Sequence, residues 1–445
     1  MQRYLLAVLS LLLGLSVPAA SAADEPLKVM SRNLYLGADV GVALELIPDF
    51  PAAAQFMWNQ VAATDFKERA PKLAAEVIAN DADVVGLQEA TTWFCKKNLW
   101  SKKVVVFNFT EEFLNATKAA GREYVLAAKD GVRALNVGYS IPAIPYLTMV
   151  NDPKRFQPIF GSDRAACGFE IGDAIAIKRE LFDNIRAVGN SEYENNYSII
   201  PKIMTIYRGY TWIDLRHGES TVRIVSTHLE SLWDSGKVPH SAIQARQLIV
   251  DLAQSDMPLI VMGDFNSDPR DPRSPQSLNP GGQPESSEVC KAQRTRPNQE
   301  SAITTCNAYW LMRAAGFSDA GPDALDGNHF TWGMGALLTD ADPLRLKAAQ
   351  EMGNKWGFTD RLDYIFTKNG AVAANSGLIG NLPPEEGLWP SDHAGVITEI
   401  ILEASNIESP ALDSHQPFPI SFWNWVGITL GAAISLLIYL KRRKS

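Results

Sequence analysis

The chain has 445 residues, 46% of them hydrophobic and 20% charged, an ordinary composition for a globular protein with a large core. Its 41 Lys and Arg against 50 Asp and Glu give a net charge of −9; setting aside Arg3 and the four cations of 441–444 leaves 36 against 50, about −14. Such a domain does not hold polyanions through a broad basic patch, although a bound metal ion can supply a local positive field.

Residues 1–22 read as a secretory signal. Arg3 is the only charge, Leu5–Leu15 is nearly all apolar and too short to span a bilayer, and Ala20-Ser21-Ala22 offers a small-residue cleavage site. Leu27–Met30 is a short strand leading to Asn33. A helix is expected over Asp65–Asn80, with Leu73, Val77 and Ile78 on one face and Pro71 in its first turns or kinking it. Asp83–Leu87 is a strand ending at Gln88-Glu89, and Gly172–Ile177 is a strand carrying Asp173. Val222–Ser226 leads to Thr227-His228-Leu229. A helix near Ser241–Gln254 precedes the strand Pro258–Met262, which runs into Gly263-Asp264-Phe265-Asn266. A helix near Asn307–Ala315 follows, and Tyr364–Phe366 and Gly395–Leu402 are the last strands. Residues 91–170 and 268–306 are rich in turn formers and are expected to be loops over the site. Several adjacent strands have short links, which suits two packed sheets flanked by helices better than one doubly wound sheet.

The carboxyl-terminal end is different. Residues 405–419 contain Pro410, Pro417 and Pro419 and read as a stalk that closes a domain spanning 23–404. Residues 420–440 are uncharged and apolar, and a helix of that length reaches about 31 Å, the thickness of a bilayer core. Trp423 and Trp425 near one end and Tyr439 near the other resemble an interfacial belt, and Lys441-Arg442-Arg443-Lys444 follows at once. The expectation is a single membrane pass, a basic cytoplasmic tail at 441–445 and a catalytic domain outside. A cleavable sorting tag has the same appearance.

Four cysteines in an exported chain suggest disulfides. Three pairings are possible; Cys290 with Cys306 is favoured because both lie in one insertion, which pairs Cys95 with Cys167. No Cys-x-x-Cys or Cys/His spacing suggests zinc. Sequons occur at Asn108, Asn115 and Asn196, where chance is the simpler account.

Chemistry concentrates at the ends of apolar runs, where an α/β scaffold exposes reactive groups. Glu89 follows four apolar residues and is the first candidate metal ligand, since Mg²⁺ takes only one or two protein carboxylates. Asp264 and Asn266 stand two apart on an extended segment and point the same way, toward one water and one phosphate; an Asx turn capping the strand is the competing account. His228 follows a strand. His393 follows Asp392, and the part-buried Asp363 of Arg361-Leu362-Asp363-Tyr364 is a chemically apt orienting carboxylate for it.

The order Asn33, Gln88-Glu89, Thr227-His228-Leu229, Gly263-Asp264-Phe265-Asn266, Arg361-Leu362-Asp363-Tyr364, Ser391-Asp392-His393 resembles the endonuclease/exonuclease/phosphatase superfamily over residues 27–404. The resemblance implies a four-layer α/β/β/α sandwich and an Mg²⁺-dependent phosphoesterase, with Mn²⁺ or Ca²⁺ as alternatives. It implies that Glu89 binds the metal, that Asn33 helps hold metal or phosphate, and that Asp392 assists the metal. Asp264 and Asn266 position water and phosphate, Asp363 orients His393 as base, and His228 meets the phosphate as electrophile or acid. The family's middle motif, usually a Tyr or His on a central strand, is not evident here; Asp173 occupies the corresponding strand and is a further site candidate. The long opening Asn33-Leu34-Tyr35-Leu36-Gly37-Ala38-Asp39 raises Asp39 as a further site residue. Two substrate classes fit, nucleic acids or nucleotides and phospholipid headgroups. The apolar segment Tyr139–Val150 is either a lid touching lipid or a buried loop. A catalytically silent binding module is the alternative of another class, and it predicts losses among the central residues that the chain does not show.

Overall fold

The computed structural model describes residues 25–98, 100–144, 146–151, 164–200, 204–232, 238–270, 307–333, 353–403 and 412. Two sheets pack face to face. The larger has ten strands, with a main path of Ala371–Ile379, Gly395–Leu402, Leu27–Asn33, Val84–Gln88, Arg164–Lys178, Thr92–Lys96 and Val104–Asn108. The second has six, in the order Ile185–Glu192, Gly209–His217, Ser220–His228, Leu259–Asp264, Asp363–Lys368 and Ser318–Asp319.

Side-chain alternation along the strands builds the layers. Val29, Val84, Ile175 and Ile177 face inward and meet Ile213, Ile224, Ile260 and Ile365 of the opposite sheet. Met30, Val85 and Leu87 face outward under Trp58, Leu73, Val77 and Phe113 of the helices Phe50–Thr64, Phe66–Ala79 and Phe109–Ala119. Val225, Val261 and Phe366 pack outward against Ala245, Leu248 and Met312 of the helices His240–Leu252 and Ala308–Ala314. The result is α/β/β/α. Close sheet packing depends on Gly86, where a β-carbon would sit 2.9 Å from the Met262 side chain.

The expected elements are present; several strands run longer than expected, and the three helices are one or two residues shorter. The helix Phe66–Ala79 contains Pro71 and is capped by Asp65, whose carboxylate accepts from the Lys67 N–H at 3.2 Å. The insertion 91–170 is not a set of loops. It contributes strands at Thr92–Lys96, Val104–Asn108, Tyr124–Leu126, Leu135–Ile141 and Met149–Asn151, and the helix Phe109–Ala119. Most of these pair with the long strand Arg164–Lys178. Strands of three to seven residues are too short to show a period, so their bounding turn formers dominated the reading. Helices Val40–Glu45 and Phe50–Thr64 and strands Ile185–Glu192, Gly209–His217 and Ala371–Ile379 were also not anticipated.

Cys95 and Cys167 face each other on paired strands, 4.0 Å apart at Cα, and form a disulfide. Cys290 and Cys306 lie outside the described residues, as do 1–22, most of the stalk and the 420–440 segment. Among the described residues, no helix is long and apolar enough to cross a membrane. Asn108 caps the helix that follows it, and Asn196 holds Tyr193 and Arg208, so both sequon side chains have structural work.

Candidate active site

Register brings the site together at one end of the sandwich. Leu27–Asn33 and Val84–Gln88 run parallel with Asn33 beside Gln88, so Asn33 and Glu89 emerge side by side. Ser220–His228 and Leu259–Asp264 run parallel with His228 beside Asp264, and Asp264 is also registered with Asp363 on the next strand. His393 lies just before Gly395, where the last strand leaves the same end. Gly263 is required here because a β-carbon would collide with the Thr227 carbonyl oxygen.

Asp264 Oδ2 is the common neighbour. It accepts from Asn33 Nδ2 at 3.2 Å and lies 3.4 Å from His228 Nε2 and 3.6 Å from His393 Nε2. Across the imidazole, His393 Nδ1 meets Asp363 Oδ2 at 2.8 Å. That separation makes Asp363 the orienting carboxylate. Although Asp264, Asp363 and His393 could cluster as metal ligands within 4.8 Å, two of those atoms are spent on each other, so a relay is the better description. Asn33 Oδ1 accepts from the Tyr35 N–H at 2.8 Å, which fixes the amide and turns Nδ2 toward Glu89, Asp264 and His393. Asn33 is therefore a donor here, and the metal role expected of it is better met by the neighbouring carboxylates.

Those carboxylates are Glu89 and Asp392. Glu89 sits in the left-handed backbone region at φ 54°, an unusual place for Glu. Its Oε1 takes Asn33 Nδ2 at 3.4 Å and its Oε2 takes the Leu36 N–H. Trp332 Nε1 donates to Asp392 Oδ2 at 3.3 Å. Carboxylate oxygens are hard ligands, suited to Mg²⁺, Mn²⁺ or Ca²⁺.

The electrostatics agree with that fit. Burial, followed by the repulsion of neighbouring acids, raises Asp264 to about 7 and Asp392 to about 6. Burial also opposes the imidazolium of His393, but Asp363, Asp392 and Asp264 outweigh it and raise His393 to about 10. His228 goes the other way: burial first, then Arg208 and His393, hold it well below its ordinary value, so it is neutral at pH 7. The site thus gathers more buried acid than its own cations offset, the condition a divalent cation relieves.

Three expected residues behave differently. Asn266, at φ 46°, donates from Nδ2 to the Leu229 carbonyl at 2.8 Å, and its N–H caps Asp264 Oδ1 at 2.9 Å. The Asx turn weighed as the competing account is present, and one amide proton of Asn266 is already engaged. Asp39 is engaged as a cap: its Oδ1 accepts from the Val42 N–H at 3.1 Å at the start of the helix Val40–Glu45. Asp173 lies in the site's interior. Burial raises its carboxyl well above the usual range, and its Oδ1 has no partner.

Other contributors were not anticipated. Thr331 Oγ1 accepts from the Leu362 and Asp363 N–H groups at 3.0 and 3.1 Å, which sets the relay. Ser391 Oγ donates to the Asn33 carbonyl at 2.8 Å and accepts from the His393 N–H at 3.1 Å, tying the two ends of the chain. Arg69 donates to the carbonyls of Thr64, Leu34, Tyr35 and Pro390. The aromatic run Phe330-Thr331-Trp332-Gly333 was the available signal for Thr331 and Trp332; Arg69 had none.

The model of the Endonuclease/Exonuclease/phosphatase family matches residues 57–393. No curated protein matches. Among solved structures, an endonuclease/exonuclease/phosphatase family protein from Leptotrichia buccalis is 16% identical, with 84% of this chain and 99% of that one covered and a TM-score of 0.44. A humanized TDP2 of D. rerio is 13% identical (84% and 98% covered, TM-score 0.42), and a mannosyl-6-phosphatase of Bacteroides thetaiotaomicron is 14% identical (84% and 100%, 0.40).

Proposed function

We propose that this chain, which belongs to the endonuclease/exonuclease/phosphatase family and is a hydrolase of phosphoester bonds, is a divalent-metal-dependent phosphodiesterase or nuclease working outside a membrane. The observation that carries the reading is the convergence of Asn33, His228 and His393 on one oxygen of Asp264, with Asp363 behind His393. Glu89 and Asp392 would hold the cation. When bound, it would neutralise the acids and polarise the phosphoryl oxygen.

The chain's own groups supply the rest. His393 is oriented by Asp363; once a bound cation offsets the acids that hold its ring protonated, its free Nε2 would take the proton of the attacking water as the water oxygen bonds to phosphorus. Asn33 Nδ2 and the neutral His228 donate to phosphoryl oxygens as charge builds on them. A neutral imidazole favours the electrophile role for His228 over the acid role. As the bond from phosphorus to the leaving oxygen breaks, water returns a proton to that oxygen, and Asp264, which accepts from Asn33 Nδ2, holds the attacking water in line. The signal at 1–22 and the apolar segment at 420–440 support an anchored enzyme with its catalytic domain extracytoplasmic.

A phospholipid headgroup is the second substrate reading. An open apolar cavity of about 100 Å³ is lined by Leu44, Met57, Trp58, Trp93, Ile141 and Phe169, among others. Trp93 Nε1 donates to the Leu36 carbonyl at 3.0 Å, and Leu36 holds Glu89, so the cavity lies one side chain behind the proposed metal ligand. Part of the apolar segment 139–150 forms its wall.

The test is to assay plasmid DNA and labelled phospholipid side by side, with Mg²⁺ and with chelator. Cleavage of either, lost with chelator and in His393→Ala and Asp264→Ala variants that remain folded, is expected. Retained activity in both variants would sink the assignment.

A further inference from the structure

One cation at the site keeps most of its hydrogen-bonding capacity unspent. Arg208 precedes the strand Gly209–His217, and its backbone is pinned at both groups. Its carbonyl accepts from the Tyr193 N–H at 2.8 Å, and its N–H donates to Asn196 Oδ1 at 3.0 Å. Nε donates to Glu230 Oε2 at 3.3 Å. Glu230 is fully buried, and its other oxygen accepts the Ser231 and Leu232 N–H groups at 2.9 and 3.1 Å. Among the described residues, neither Nη group of Arg208 has an acceptor.

Two other buried arginines near the site are spent. Arg69 donates to four carbonyls, and Arg32 donates to Glu76 and the His393 carbonyl. Arg208 is also within electrostatic reach of the chemistry. It disfavours the imidazolium of His228, and Glu230, Asp173 and Glu89 hold it charged against the cost of burial. Arg208 forms no ion pair with Asp173, whose buried Oδ1 is itself unpartnered. The neighbouring Gly209 carbonyl accepts from Thr227 Oγ1 at 2.9 Å, which places Arg208 beside the strand end that carries His228.

A guanidinium presents parallel donors that match two phosphoryl oxygens, and it stays charged in a low-dielectric setting. Anchoring through Nε leaves that fork free, already oriented by Glu230. We propose that Arg208 is the phosphoryl-oxygen receptor of the site, its Nη groups binding the nonbridging oxygens of the scissile phosphate beside His228. The inference rests on the phosphoester reading above. It also names how an acidic domain admits an anion: through one buried fork that reads a single phosphate, rather than through a basic track along a polymer.

Inorganic phosphate is the probe. Its affinity is measured by calorimetry in Mg²⁺ and by inhibition of bis(p-nitrophenyl) phosphate turnover, for the wild type, Arg208→Lys, Arg208→Met and the double variant Arg208→Met/Glu230→Gln. The double variant removes the carboxylate that Arg208→Met strands, so it decides the matter if the single variant does not fold. Expected are a loss of phosphate affinity of about 10- to 100-fold in Arg208→Met, partial recovery in Arg208→Lys, and a double variant of normal melting temperature that still binds phosphate weakly. Phosphate affinity within twofold of wild type in Arg208→Met, or restored in the double variant, would overturn the proposal, because Arg208 would then serve only to neutralise Glu230. A protein that binds phosphate through Arg208 yet cleaves no ester would refute the hydrolytic reading and leave this one standing.

Discussion

Replacing Asp363 by Asn isolates the contact on which the proposed base depends. Asp363 Oδ2 meets His393 Nδ1 at 2.8 Å, and Asp363 is the largest of the three carboxylate influences that raise His393 from 6.5 to about 10. At about 1.4 kcal/mol per unit, that rise is on the order of 5 kcal/mol in favour of the imidazolium, shared among Asp363, Asp392 and Asp264. The substitution keeps shape and removes charge. It also lets an amide N–H face Nδ1, which selects the tautomer with its proton on Nε2 and removes the lone pair the base needs. His393 should therefore titrate much nearer 6.5, and kcat should fall by about 10³- to 10⁴-fold, the cost seen where a carboxylate orients a catalytic histidine. The sign of the stability effect follows. A raised folded-state pKa stabilises fully below the unfolded value and ceases to do so as pH climbs through the folded value. The metal-free wild type should thus lose melting temperature between pH 6.5 and about 10, and the variant should show a flatter profile. Ring-resonance titration by NMR, melting curves at pH 6 and 9.5, and turnover of bis(p-nitrophenyl) phosphate would measure the three quantities. An unchanged His393 titration with kcat within tenfold of wild type would refute the relay.

Three other outcomes follow from the same geometry. Glu89→Gln keeps the Asn33 and Leu36 contacts geometrically possible but removes the charge, so Mn²⁺ affinity measured by electron paramagnetic resonance should fall by about 10-fold or more; equal affinity would remove Glu89 from the ligand set. Because Asp392 sits at about 6 and a ligating carboxylate must be deprotonated, apparent metal affinity should drop by up to about tenfold per pH unit below that value and level off above it; a flat profile from pH 5 to 7 would count against Asp392. Cys95 and Cys167 close a loop of 72 residues, and a Cys95→Ser/Cys167→Ser double variant should lose about 4 kcal/mol on the loop-entropy scale; an unchanged denaturation midpoint would show that the bridge contributes nothing.

The site was legible where a reactive residue ends a run that is buried on both faces. Val84–Leu87 before Glu89 and Leu259–Met262 before Asp264 are continuous apolar segments, and both are central strands. The partnership of Asp363 with His393 followed from chemical need, and the register of Asp264 with Asp363 explains why it holds. Asp39 drew notice because its motif adjoins Asn33 in sequence; a helix begins there and takes the carboxylate as its cap. Arg208 was passed over for the opposite reason. Nothing around Tyr207-Arg208-Gly209 marks a site, and its importance comes from Glu230, which lies on another strand's continuation. Thr331 likewise acts through two backbone N–H groups whose partners are some thirty positions away. Contacts of that kind have no local period to betray them.

Neither sheet holds the chemistry alone. Asn33 and Glu89 come from the ten-stranded sheet, and His228, Asp264 and Asp363 from the six-stranded one. The contact between Asn33 and Asp264 at 3.2 Å is therefore a contact between layers. It depends on the packing of Gly86 against Met262 two residues below each strand end, and Gly86 and Met262 are both buried. Widening that gap would draw Asn33, Glu89 and His393 away from His228, Asp264 and Asp363, and so would open the contact between Asp363 and His393 as well. The apolar interior is consequently part of the catalytic geometry: it sets the distance across which a phosphate must be shared.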